Sequence, residues 1–141
     1  NKIKTRLDDN LLAFIDIHFM ICLCFNDIDN AKDYLKNIKK YQDSSNDTYT
    51  EISKTITFTL CEAIVSYRTN NFNKCILILE EVLDKSYLIG GSNAQRDILN
   101  LMLFDSLLKT KNNDKIQNFL NIRTISRPNN KFCNKLQELY L

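Results

Sequence analysis

His18 and Cys22 stand four residues apart, a spacing that puts an imidazole and a thiol on one face of a helix. Together they would make half of a zinc site, and Cys24, Cys61 or Cys75 would have to complete it. The same pair, with the thiol ionised beside the imidazole, is also the minimum for nucleophilic catalysis. The spacing requires neither. The five cysteines, Cys22, Cys24, Cys61, Cys75 and Cys133, lie mostly within apolar runs. There a thiol stays protonated and a lone histidine hydrogen-bonds into the core. These residues therefore assign no catalytic group, no metal ligand and no cofactor.

A second candidate is Gly90-Gly91-Ser92, which holds both glycines of the chain and precedes a helical run. Free amides at a helix N-terminus attract anions. A phosphate loop, however, needs a lysine followed by serine or threonine, and the next residues are Asn93-Ala94-Gln95. No strand precedes it. The better reading is a structural turn and cap, in which Gly90 and Gly91 adopt left-handed conformations and Ser92 with Gln95 forms a capping box.

Charged residues near this turn pose a separate question. Arg96 and Asp97 follow the glycines, and Asp16 interrupts the apolar stretch Leu11 to Phe25 next to His18. A charge facing a neighbouring helix must be paired. The expectation is that Asp16, or a polar group near it such as His18, meets the Arg96–Asp97 region and locks two hairpins in register. The basic set Lys32, Lys36, Lys39 and Lys40 is interleaved with Asp29, Asp33 and Asp43 and reads as a solvated helix face. With a net charge of +2, nothing in the chain draws it toward nucleic acid.

The elements that hold these residues follow from composition and periodicity. Two glycines and one proline in 141 residues are too few for the frequent turns of a β-sandwich or barrel. The reading is an all-α single domain over residues 1–141 with six or seven helices in antiparallel pairs. They run from about Asn10 to Phe25, Asp29 to Tyr41, Tyr49 to Arg68, Phe72 to Leu88, Asn93 to Lys109, Asp114 to Thr124 and Lys131 to Tyr140. Gln42 to Thr50 is the one polar linker, with Thr48 and Glu51 spaced as a capping box. The apolar stretch Leu11 to Phe25 is about 15 residues against the ~20 of a membrane span, and reads as a core helix.

Three units repeat. Each is an apolar helix, a turn containing asparagine, and a second helix whose inner face opens on Ala31, Cys75 or Ile116. Leu35 and Ile38 continue that face in the first unit, Leu79 and Val82 in the second, and Leu120 and the off-pattern Arg123 in the third. The markers are 44 and 41 residues apart. A hairpin with one apolar face is covered only by its neighbour, which is the logic of a tetratricopeptide-like right-handed α-solenoid.

The stretches Asp16 to Met20 (DIHFM), Gly90 to Asp97 (GGSNAQRD) and Arg127 to Asn130 (RPNN) resemble the C-terminal part of the tetratricopeptide repeat protein 38 family and its bacterial relatives. Their order and separations agree over nearly the whole chain. Two positions depart from the pattern: Ile116 stands where a small repeat residue is usual, and Arg123 at another inner position. The resemblance implies stacked helical hairpins, an absent N-terminal portion and a protein-binding role, and it brings no reaction to transfer.

The resulting expectation is a non-catalytic scaffold that takes a protein or peptide partner between successive hairpins. Asn100, Arg68 and Glu62 are candidate groove positions. The alternative is a structural C-terminal end-piece of a larger enzyme or assembly whose active site lies in the absent portion. Reduced thiols point to an intracellular, cytoplasmic setting. An import signal upstream of Asn1 and a homo-oligomer both stay open.

Overall fold

The structure, a computed structural model, describes residues 13–44 and 48–140. Every regular element among them is helical. Helix α1 (Ala13–Asn26) is followed by α2 (Ile28–Ser44). Then α3 (Thr48–Ile52) runs through a π-turn at Ser53–Thr57 into α4 (Phe58–Arg68). Helix α5 (Phe72–Val82) tightens into a 3₁₀ segment, Leu83–Ile89, before α6 (Asn93–Lys109), α7 (Asn113–Ser126) and α8 (Lys131–Tyr140). With α3 and α4 taken as one rod there are seven among the described residues.

Contacts pass from neighbour to neighbour. Helix α1 packs on α2 and α4, α4 also on α2 and α5, α5 on α6, α6 on α7, and α7 on α8. One continuous core threads this array, from Ile17, Met20 and Leu23 through Leu60, Ile64 and Leu79 to Leu107 and Leu120. This arrangement is consistent with a helical repeat. No described helix is long and apolar enough to cross a membrane.

The three repeat markers occupy one structural position. The amides of Ala31, Cys75 and Ile116 each donate to the N-cap carbonyl four residues earlier, on Asp27, Asn71 and Asn112, at 3.0, 3.0 and 2.9 Å. Each marker therefore sits on the first inward-facing turn, and all three are buried. The second and third hairpins also turn alike. Asn70 and Lys111 adopt positive φ of 60° and 54°. The following amides, of Asn71 and Asn112, reach back to Ser66 and Leu107 at 2.8 and 3.1 Å. Both turns thus satisfy the carbonyls left over at a helix C-terminus in the same way.

Three sequence readings need correction. The polar segment taken as a linker begins too early, because α2 continues to Ser44 and Gln42 is buried. Its Nε2 donates to the Ser53 carbonyl at 2.7 Å and to Ser53 Oγ at 3.2 Å. A buried amide needs such partners, and they come from a helix eleven residues on, which local composition does not reveal. The third helix is interrupted by the π-turn. The fourth keeps α geometry only to Val82, beyond which the polar residues Asp84, Lys85 and Ser86 leave no inner stripe to continue. The proposed Thr48 cap lies outside the residues whose side chains are described.

The lysine face of α2 is solvated, as read. Lys32, Lys36 and Lys39 pair with Asp29, Asp33 and Asp43 at 3.8, 2.9 and 3.6 Å in exposed bridges, which contribute little to stability.

Candidate functional site

The 3₁₀ segment leads into the Gly90-Gly91 turn. Both glycines have positive φ, 83° and 72°. Gly90 also has ψ of −160°, a region that residues with a Cβ avoid. A Cβ on Gly91 would drive into the Phe14 ring. Ser92 Oγ accepts from the Gln95 amide at 3.2 Å while Gln95 Oε1 accepts from the Ser92 amide at 2.9 Å, which completes the capping box. Arg96 folds back over the turn and donates to the carbonyls of Gly90 and Gly91 at 2.8 and 2.5 Å, and to Asn93 Oδ1 at 2.5 Å. The guanidinium thus faces the two glycine carbonyls. This is the turn-and-cap reading.

The expected pairing of Asp16 with Arg96 is not formed. Asp16 is fully buried and accepts a hydrogen bond from the Tyr34 hydroxyl at 2.5 Å, inside the first hairpin. His18 bonds through Nδ1 to the Phe14 carbonyl at 2.8 Å. Helix α1 does reach the turn, through the Phe14 ring against Gly91, and His18 also packs on that ring at 4.1 Å between centroids. Apolar packing stands where a polar bond was expected, because two glycine carbonyls already satisfy Arg96.

A polar lock exists one residue further on. Asp97 receives two parallel bonds from Arg123 of α7, Nη1 to Oδ1 at 2.8 Å and Nη2 to Oδ2 at 2.5 Å. Arg127 Nη1 adds a third at 2.9 Å. The Arg123 and Asp97 side chains are only 10% and 15% exposed, whereas Arg127 is 40% exposed. Hydrogen bonding from Arg123 holds the Asp97 carboxyl below its usual range, against burial, and Arg127 adds to the effect. Arg123 also lies over the Phe119 ring at 5.8 Å, and Phe119 stacks on Phe104 at 5.2 Å. Its Nε is buried and has no hydrogen-bond partner among the described residues.

These groups border a groove of about 560 Å³ between the 3₁₀ segment, α6 and α7. Leu83, Leu103, Phe119 and Ile122 form apolar walls, and Asp97, Arg123 and Arg127 the polar part. Asn100 lines it too. Arg68 lines a second groove of about 350 Å³, with Phe25 of α1 and Asp105 of α6, and donates to the Cys24 carbonyl at 2.7 Å; Glu62 lines neither groove and pairs with Lys74 at 2.8 Å. Arg123 was visible in the sequence as a charge at an inner position, and Asp97 as a member of a lock expected to form with Asp16 or its neighbours. Their pairing, and the part taken by Arg127, were not.

The thiols are spread through the array. Cys24, Cys61, Cys75 and Cys133 are buried, and Cys22 is exposed. Burial pushes the Cys24 thiol up to about 11 and raises those of Cys61 and Cys75. A thiol so raised is protonated near neutral pH and a weak nucleophile. Among the described residues, no three His, Cys, Asp or Glu side chains converge to hold a metal ion. No family model matches the chain, and no solved structure matches it significantly.

Proposed function

We propose that the chain is a non-catalytic helical-repeat scaffold, a tetratricopeptide-like right-handed solenoid that binds a protein partner in the groove beside α6 and α7. The observation that carries this reading is the groove itself, where apolar walls and a charged part lie between two successive hairpins. Binding clefts take this form, with apolar surface for affinity and a few polar groups for orientation. The common register of Ala31, Cys75 and Ile116 supports the repeat. The raised thiols support a role without covalent chemistry.

Ile122 is 61% exposed in the groove, and Leu77 is 67% exposed on α5 outside it. Replacement of either by aspartate leaves the core untouched. The test is affinity capture from cell extract with the wild-type chain, Ile122→Asp and Leu77→Asp. A scaffold using this groove retains its partner in the wild type and in Leu77→Asp and loses it in Ile122→Asp. Equal capture by all three, or capture only of a further piece of the same polypeptide, overturns the proposal; the latter outcome marks an end-piece.

A further inference from the structure

Helices form the long walls of the groove, and their backbone amides and carbonyls are bonded within each helix. A partner strand would find no free edge to extend, so an extended peptide gains no main-chain bonds there. The wall residues instead suit a helix. Phe119, Ile122 and Ser126 of α7 line the groove at spacings of three and four, one ridge over about two turns. A second helix with apolar residues at the same spacing packs against such a ridge at a distance of ~8–10 Å between axes.

The polar part sets the charge of that helix. Both Asp97 oxygens are already engaged, by Arg123 and by Arg127. The Nε of Arg123 is already buried and out of reach of a partner; what stays open is the remaining N–H groups of the half-exposed Arg127 guanidinium, which makes a single bond to Asp97. A partner that covers the groove removes water from these N–H groups, and leaving them unmet is costly. A carboxylate meets a guanidinium fork with charge-assisted, paired bonds. Lysine or a neutral apolar residue at that point would leave the donors unmet. Asp84 also lines the groove but is exposed, so solvent screens it and it opposes an acid only weakly.

We infer that the partner is an acidic amphipathic helix, with an apolar stripe on Leu83, Leu103, Phe119 and Ile122 and a glutamate or aspartate on Arg127. This inference rests on the scaffold reading above and narrows it to one class of partner.

The experiment is a selection on the full chain from a displayed library of helices of about 16 residues, roughly 24 Å long. Stripe positions vary among leucine, isoleucine, phenylalanine and serine, and flanking positions among glutamate, glutamine and lysine. Winners are then measured by fluorescence anisotropy as synthetic peptides. Apolar stripes flanked by glutamate are expected, with Kd weakened about tenfold by Ile122→Asp and by Arg127→Gln. Exchanging the peptide glutamate for glutamine weakens binding to the wild type by a similar factor and leaves binding to Arg127→Gln unchanged. Circular dichroism checks that both variants fold. Winners flanked by lysine or glutamine, or acidic winners indifferent to either variant, overturn the acidic-helix inference and leave the scaffold reading standing. A library that yields no binder overturns both.

Discussion

Val82 and Arg123 hold the same place in successive hairpins. Each lies seven residues past the marker whose amide bonds the N-cap carbonyl, Cys75 in α5 and Ile116 in α7. Both are buried, to 5% and 9% exposure. In the second hairpin the position is an aliphatic contact within the core. In the third it is a guanidinium, tolerated because Asp97 of α6 takes both of its terminal nitrogens. A repeat position therefore fixes depth and direction but not chemistry. A charge can enter where the facing helix supplies its counter-ion, and there the array opens into a groove.

The largest effect comes from removing that counter-ion. Asp97→Ala leaves the Arg123 guanidinium without its partner at the wall of the groove, where water reaches part of it, and the loss should cost about 1–3 kcal/mol. Urea unfolding should show this as a lower midpoint at unchanged slope. The double variant Asp97→Leu, Arg123→Met makes the third hairpin resemble the second. Its stability should return to within about 1 kcal/mol of the wild type, since an apolar pair of similar volume commonly replaces a buried ion pair without loss. If Asp97→Ala is neutral, the third hairpin does not depend on the pair and the contrast with Val82 is empty.

A smaller effect of the same origin is read by pH. The Asp97 carboxyl is held below its ordinary value in the folded chain, mainly by hydrogen bonding from Arg123. A depressed carboxyl stabilises the fold fully above the unfolded value of about 4, and this contribution is lost as pH falls through the lower folded value. Thermal unfolding between pH 7 and about pH 2.5 should therefore decline more steeply for the wild type than for the Asp97→Leu, Arg123→Met variant. Parallel curves would mean that Asp97 titrates as a free carboxylate.

Much of the array was legible in the sequence because its signals are local. Asparagine before an apolar run marks a turn between helices, and in the structure Asn71 and Asn112 go further and cap the next helix, accepting from the amides of Lys74 and Lys115. Ser92 and Gln95 carry their capping box within four residues. The groove was not legible, since Asp97 and Arg123 are 26 positions apart and meet only once α6 and α7 pack. Arg96 was assigned to a distant acid because a lone sequence does not show that glycine carbonyls will face it. Gln42 was read as linker for the same reason, its partner Ser53 being brought up by packing. Short-range rules found the helices, and long-range pairing built the site.

The smallest effect sharpens the comparison at the turns. Asn70 and Lys111 hold equivalent places with nearly equal φ, 60° and 54°. Asparagine enters the left-handed region readily, but for lysine the clash between Cβ and carbonyl costs roughly 1–2 kcal/mol. Glycine would remove that strain while adding freedom to the unfolded chain, which offsets about 0.4–1 kcal/mol of the gain. Lys111→Gly should thus stabilise by about 0.5 kcal/mol, whereas Asn70→Gly, with little strain to relieve, should be neutral or slightly destabilising. Lys111→Asn should do at least as well as Lys111→Gly, because it makes the third turn like the second without loosening the unfolded state. The order of urea midpoints checks this: Lys111→Asn at or above Lys111→Gly, and both above wild type. If Lys111→Asn falls below wild type, the lysine makes a contact that the second turn lacks. The two hairpins would then differ at their turns as well as at Val82 and Arg123.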